Sequence, residues 1–196
     1  DTNNALMLLH FGVVFQDPSH SAAQQPCFEL RIQDASGNLL NVGCNRYFVV
    51  CDAGIPGFID CGTDIRWRDW TTVGVSLFDL IGQTIYIVLA TADCGYAGHY
   101  GYGYVVGECR PMEIQVQYCE GATVARLEAP EGFVNYIWRG PNGGTVGNNQ
   151  KLSIQNPPDG ATYTVEMTSA IGCISTLSCV IEKTMIAPDF TCDSLT

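Results

Sequence analysis

Helical periodicity is almost missing from this sequence, and so are long apolar runs, basic clusters and the short motifs of the common enzymes. No apolar run approaches the roughly 20 residues of a membrane-spanning helix; the longest candidate, residues 84–92, has strand length. Insertion into a membrane is therefore not expected. Only nine Lys and Arg occur, dispersed along 196 residues that carry a net charge of −11. That balance excludes a nucleic-acid partner, whose phosphates demand a basic footprint. There is no G-x-S-x-G elbow and no phosphate loop, and Gly101, Gly103 and Gly107 have the wrong spacing for a dinucleotide fingerprint. No H-E-x-x-H or C-x-x-C occurs. Asp60, Asp64 and Asp69 read first as turn acids. No catalytic residue is assigned, and the chain is expected not to be an enzyme.

Cysteine, by contrast, is plentiful. Ten are spread along the whole length, an even number at spacings that suit oxidising, extracellular surroundings. Cys94 and Cys109 flank a compact glycine-rich segment and are expected to bridge it. Cys119 and Cys173 are expected to join the first and last parts of the C-terminal half. Cys27, Cys44, Cys51 and Cys61 would pair among themselves, Cys44 with Cys61 across the intervening loop, leaving Cys179 and Cys192 for each other. The chain opens at Asp1 in mid-pattern, which reads as a processed chain or an excised fragment.

Residues 5–15, 28–33, 47–50, 72–77, 84–92 and 100–106 read as strands rich in β-branched and aromatic residues, separated by Asp/Pro/Gly/Ser turn clusters. Residues 76–82 read as one short helical turn or a tight crossover. This half, residues 1–111, is expected to form an antiparallel, jelly-roll-like β-sandwich. After a change of composition near residues 108–112, shorter strands follow at 113–118, 123–127, 134–138, 151–154, 162–167 and 178–182. Residues 112–184 are expected to form a smaller Ig-like sandwich, with Trp138 as its core indole and Tyr163 at the place of a tyrosine corner. Residues 185–196 are a tail or the start of a further module. The fold class is thus all-β.

The most unusual stretch is residues 93–104, DCGYAGHYGYGY. On a strand, Tyr100, Tyr102 and Tyr104 share one face, and His99, Gly101 and Gly103 the other. Core packing is the default for such a stripe, and a sugar-stacking platform the functional alternative. The glycines leave bare backbone for a ligand or an overlying segment. The ligand-binding candidates are Asp17, His20, Asp93, His99, Tyr100 and Tyr102. The histidines are structural by default, since no zinc spacing surrounds them. No cofactor is assigned beyond a candidate structural calcium ion on the loop carboxylates Asp17 and Asp93.

The first half resembles a recurrent domain of very large Bacteroidota surface proteins, the gliding-motility and adhesin-like proteins exported by the type IX system. The resemblance lies in residues 11–20 (FGVVFQDPSH), 25–28 (QPCF), 67–74 (WRDWTTVG), 77–83 and, most specifically, 93–104. The second half resembles their Ig- or PKD-like repeats through Cys119 and Gly121, residues 129–133 (APEGF), Trp138, residues 160–163 (GATY), Gly172 and Cys173. The resemblance implies a non-enzymatic adhesion, binding or spacer segment at the bacterial cell surface. Its partner would be an extracellular glycan, another surface ligand or neighbouring modules of the same chain. A carbohydrate-binding module appended to a secreted polysaccharide-degrading enzyme is the alternative.

Overall fold

The protein was analysed as a computed structural model, which describes residues 2–40, 45–52, 55–62 and 64–183. The described residues are all-β, with antiparallel sheets and three single-turn helical segments, the last at Phe78–Leu80. No helix among the described residues is long and apolar enough to cross a membrane. The chain divides into two compact units, Asp1–Pro111 and Met112–Thr196.

The described residues of the first unit form seven strands: β1 (Leu6–Gln16), β2 (Cys27–Gln33), β3 (Arg46–Val50), β4 (Ile59–Cys61), β5 (Ile65–Ser76), β6 (Tyr86–Ala92) and β7 (Gly101–Arg110). They form two sheets, ordered β4-β5-β1-β7 and β3-β2-β6, and every pairing is antiparallel. The sheets face each other through the alternate residues Phe11, Val13 and Phe15 of β1 and Phe28, Leu30 and Ile32 of β2, all buried. Phe11 stacks on Phe28 at 5.4 Å between centroids and lies 5.8 Å from Tyr47. Among the described residues, four-plus-three strands is one short of the eight of a regular jelly roll.

Strand β7 overturns one disulfide expectation. Residues 94–109 do not form a hairpin. A loop closes where the Cys94 N–H donates to the His99 carbonyl (3.1 Å), and the chain then runs straight along β1, with Gly101 opposite Phe15 and Cys109 opposite Met7. A strand advances about 3.3 Å per residue, so Cys94 and Cys109 sit at opposite ends of the sheet, and both are free thiols. Cys27, Cys51, Cys61 and Cys179 are free as well. Cys44 and Cys192 lie outside the described residues, and with them half of the expected Cys44–Cys61 and Cys179–Cys192 pairs. Cys119 and Cys173 are disulfide-bonded.

The described residues of the second unit also form seven strands: β8 (Gln115–Gln117), β9 (Val124–Glu128), β10 (Asn135–Arg139), β11 (Thr145–Gly147), β12 (Lys151–Gln155), β13 (Thr162–Thr168) and β14 (Ile174–Val180). They form sheets ordered β11-β10-β13-β14 and β12-β9-β8. Trp138 is fully buried, and its indole N–H donates to the Asn149 carbonyl at 2.8 Å. Tyr163 is buried too. A second tyrosine, Tyr136, donates its hydroxyl to the Pro130 carbonyl at 3.1 Å and so anchors the turn before β10.

Candidate functional site: the outer face of the four-stranded sheet

The register of the first unit sorts β1, β5 and β7 into two faces. Phe15, Arg66 and Gly101 lie in one inward row, and Val13, Arg68 and Gly103 in the next. The residues between them point outward. One outward row crosses the whole sheet as Ile59, Trp67, Val14 and Tyr102. Further along, Gly12 pairs with Tyr104, and His10 lies between Thr72 and Val106.

Trp70 joins this face because of a register shift. Between the pairs Phe11–Thr71 and Val13–Arg68, β1 has one residue and β5 has two, Asp69 and Trp70. Without that bulge, strict alternation from Trp67 would turn Trp70 inward. With it, the indole lies over the Gly12 backbone, where an added Cβ would come within 3.9 Å of the Trp70 ring.

The outcome is a row of exposed rings. Trp70 (57% exposed) lies 6.5 Å from Tyr104 (60%), which meets Tyr102 (41%) edge to face at 5.8 Å. Tyr102 in turn stacks on Tyr100 at 5.6 Å. Ile59 and Val106 are also exposed. Apart from the exposed Asp69 in the bulge, these rows contain no charged side chain. The cations of β5 are turned the other way. Arg68 lies 5.6 Å from the Phe11 ring centroid and donates to the Tyr47 hydroxyl at 2.9 Å. Arg66 pairs with Asp17 at 3.3 Å and Asp60 at 3.1 Å.

The tyrosine stripe is therefore not core. The core side of β7 is the glycine side: an added Cβ on Gly103 would lie 3.1 Å from the Phe28 ring, and one on Gly101 would lie 3.1 Å from the Phe15 ring and the Ala92 carbonyl. An overlying segment of the same unit fills that strip, and the bulky rings stand outside.

Of the other candidate residues, Asp17 is buried and spoken for. One carboxylate oxygen accepts from the Ser19 N–H (2.7 Å) and from Gln25 Nε2 (2.8 Å), and the other faces Arg66. Asp93 accepts from the Gly101 N–H at 3.4 Å. Calcium needs six to eight oxygen ligands, and no cluster of three or more His, Cys, Asp or Glu suited to a metal exists among the described residues. Asp17 and Asp93 thus belong to no such cluster among the described residues.

His20 and His99 do come together, edge to face at 5.5 Å, with Tyr96 5.0 Å from His20. His99 Nδ1 shares a hydrogen bond with Cys94 Sγ at 3.3 Å. This thiol–imidazole contact was not foreseen from the sequence, and Cys94 is buried beneath its loop. A second buried thiol, Cys51, has its pKa pushed up to about 12, first by burial and then by the Asp17 carboxylate. It is protonated and unreactive at neutral pH.

The residues that sequence reasoning missed are Trp67, Trp70, Ile59 and Val106. Alternation along residues 65–72 carried the signal for the tryptophans, but only the bulge reveals that both point outward. In the second unit, a cavity of about 400 Å³ lies along β8, β9 and β12, beside Gln115, Arg126 and Ser153. Its Lys151 and Glu128 pair with each other at 3.1 Å.

No protein-family model matches the chain, and neither does any curated protein. Among solved structures, the chain is similar to the adhesin domain of Epf from Streptococcus pyogenes, at 11% identity over 94% of this chain and 69% of that one, with a TM-score of 0.28.

Proposed function

We propose that the chain is a non-enzymatic, extracellular binding segment of a larger surface protein, and that its first unit binds through the outer face of the β4-β5-β1-β7 sheet. The observation that carries this reading is the uncharged, exposed row of Trp70, Tyr104, Tyr102 and Tyr100. Soluble proteins rarely leave large apolar patches in water unless something binds there. Tyr and Trp in particular supply rigid contact area at a small cost in side-chain entropy.

The disulfide-bonded Cys119 and Cys173, the acidic balance and the resemblance to exported gliding-motility and adhesin-like proteins support the extracellular placement. The second unit suits a spacer. The outer side of β8, β9 and β12 bears Gln115, Gln117, Arg126, Glu128, Lys151 and Ser153, an ordinary solvated set.

The test is retention of the labelled chain on intact cell surfaces. Replacing Trp70 and Tyr104 together by Ala is expected to cut retention more than about tenfold, as loss of aromatic anchors does at interfaces, with the melting transition kept. Unchanged retention by a folded variant sinks the reading. Turnover on polysaccharide, peptide or ester panels that one point substitution abolishes would overturn its non-enzymatic part.

A further inference from the structure

Resting on that reading, we propose that the aromatic face takes a neutral polysaccharide, whose pyranose rings stack on Trp70, Tyr104 and Tyr102. The geometry points to this class for three reasons.

The first is charge. The rows that carry the rings hold no cation, because Arg66 and Arg68 are turned into the sandwich and Arg110, at the far end of β7, is paired with Glu108. The chain as a whole carries −11. A sulfated, phosphorylated or uronic polymer would meet no counter-charge there and would be repelled by the surrounding field. A neutral sugar loses nothing by this.

The second is chemistry. A pyranose has an apolar C–H face and a rim of hydroxyls, so it is matched by a ring face with hydrogen-bonding groups at its edge. Tyr102 and Tyr104 bring ring and hydroxyl together. In the next row His10 Nδ1 and Thr72 Oγ1 share a hydrogen bond of 2.9 Å, a polar pair beside the rings.

The third is shape. Small-molecule sites are concave. Here the rings stand on one pleated surface, four strands and so about 14 Å wide, with Gly12 at its centre. Such a surface suits a polymer lying across it more than a single terminal sugar.

The experiment uses the full chain in affinity electrophoresis through gels containing β-glucan, glucomannan or dextran, and in sedimentation with cellulose and chitin. Alginate, heparin and immobilised serum proteins form the control arms. Retention on at least one neutral polymer is expected, little changed between ~0.1 and ~1 M salt, since no ion pair is used. Trp70→Ala and Tyr104→Ala should each lower it about tenfold or more, Tyr104→Phe by much less. Tryptophan fluorescence should shift on binding in the wild type and shift less in Trp70→Phe, where only Trp67 of this face remains to report.

Retention confined to the anionic polymers or to protein overturns the inference, as does neutral-polymer retention that survives Trp70→Ala. The two readings separate cleanly. If Trp70→Ala/Tyr104→Ala abolishes cell-surface retention that no neutral polymer competes, the face is a binding surface and the polysaccharide assignment falls. If cell-surface retention also ignores the substitutions, both fall.

Discussion

The two sheets of the first unit show water two different outer faces. On β3-β2-β6 the outward residues are those expected of a solvated sheet: Glu29 pairs with Arg46 at 2.6 Å and Arg31 at 3.6 Å, and Arg46 covers the exposed Phe48 ring at 5.0 Å. On β4-β5-β1-β7 the polarity is inverted. The cations of β5 point into the sandwich, where Asp17 and Tyr47 receive them, and indole and phenol rings point out; the outward ion pair of this sheet, Arg110 with Glu108, sits at the far end of β7. Both sheets build the same core and both could have carried charges outside. Folding therefore explains the first face and leaves the second unexplained, which is why function is placed on the second.

The sharpest way to test that inversion is to remove one cation from each face. Arg66 and Asp17 are both nearly buried, with side chains 11% and 6% exposed. Arg66→Ala strands a buried carboxylate and is expected to cost about 3–5 kcal/mol, read by urea unfolding. Arg46→Ala, on the opposite outer face, removes a half-exposed partner and should cost at most about 1 kcal/mol. Similar costs for the two would mean that the cations of β5 are not held inside.

Strand β7 offers a smaller contrast between the two sides of one element. Gly103→Ala would drive a methyl group against the Phe28 ring, with an expected cost of about 1–3 kcal/mol by overpacking. Tyr102→Ala, the adjacent residue on the other side, should cost less than about 1 kcal/mol. A larger loss at Tyr102 would restore the core reading of the stripe.

That stripe marks where the sequence stopped being legible. Strand alternation located β1, at 5–15 against Leu6–Gln16, and Trp138 was recognisable as the core indole of its unit. Strand β5 was read only from residue 72, because Arg66, Arg68 and Asp69 look like a loop until their long-range partners Asp17 and Tyr47 are known. β4 and β11 were too short to show, and the Ser/Thr-rich β14 was placed late, at 178–182 against Ile174–Val180. Alternation assigned the tyrosines to a common face correctly. It could not say which face is inside, since that depends on Phe15 and Phe28 filling the space beside Gly101 and Gly103. The Cys94–Cys109 bridge failed for a related reason: flanking one segment in sequence does not bring two residues together when that segment is an extended strand.

The inward side can also be probed by pH. The Cys51 thiol has an ordinary value of 9.0 and is pushed up to about 12 by burial, then by Asp17 and Asp52, with Arg66 acting the other way. Above pH 9 an unfolded chain releases this proton while the folded chain keeps it. The unfolded state then binds fewer protons, so stability falls as pH rises, from about 9 until the folded thiol itself ionises. Cys51→Ala should flatten that part of the stability–pH curve by at most one proton. Non-reducing peptide mapping comes first, with Cys51, Cys94 and Cys109 expected as free thiols. A curve unchanged by Cys51→Ala, measured between pH 8 and 10, would show that the thiol is not held in the buried, carboxylate-flanked site.

The smallest expected effect carries the most information about function. Trp70 is the more exposed of the two tryptophans on the outward face, and its ring partner there is the equally exposed Tyr104. If the face existed to stabilise the sandwich, Trp70→Ala would open a cavity and cost about 3–5 kcal/mol, as for a buried Trp. Trp70 already stands in water, so a cost below about 1 kcal/mol is expected in urea unfolding. Arg46→Ala on the charged face should match it in stability and differ from it in binding: only Trp70→Ala should lose cell-surface retention. A residue that can be removed without harming the fold, but not without harming the binding, is held in place by selection for a partner. Were Trp70→Ala to unfold the first unit instead, the aromatic face would be a packing surface and the comparison of the two sheets would lose its functional meaning.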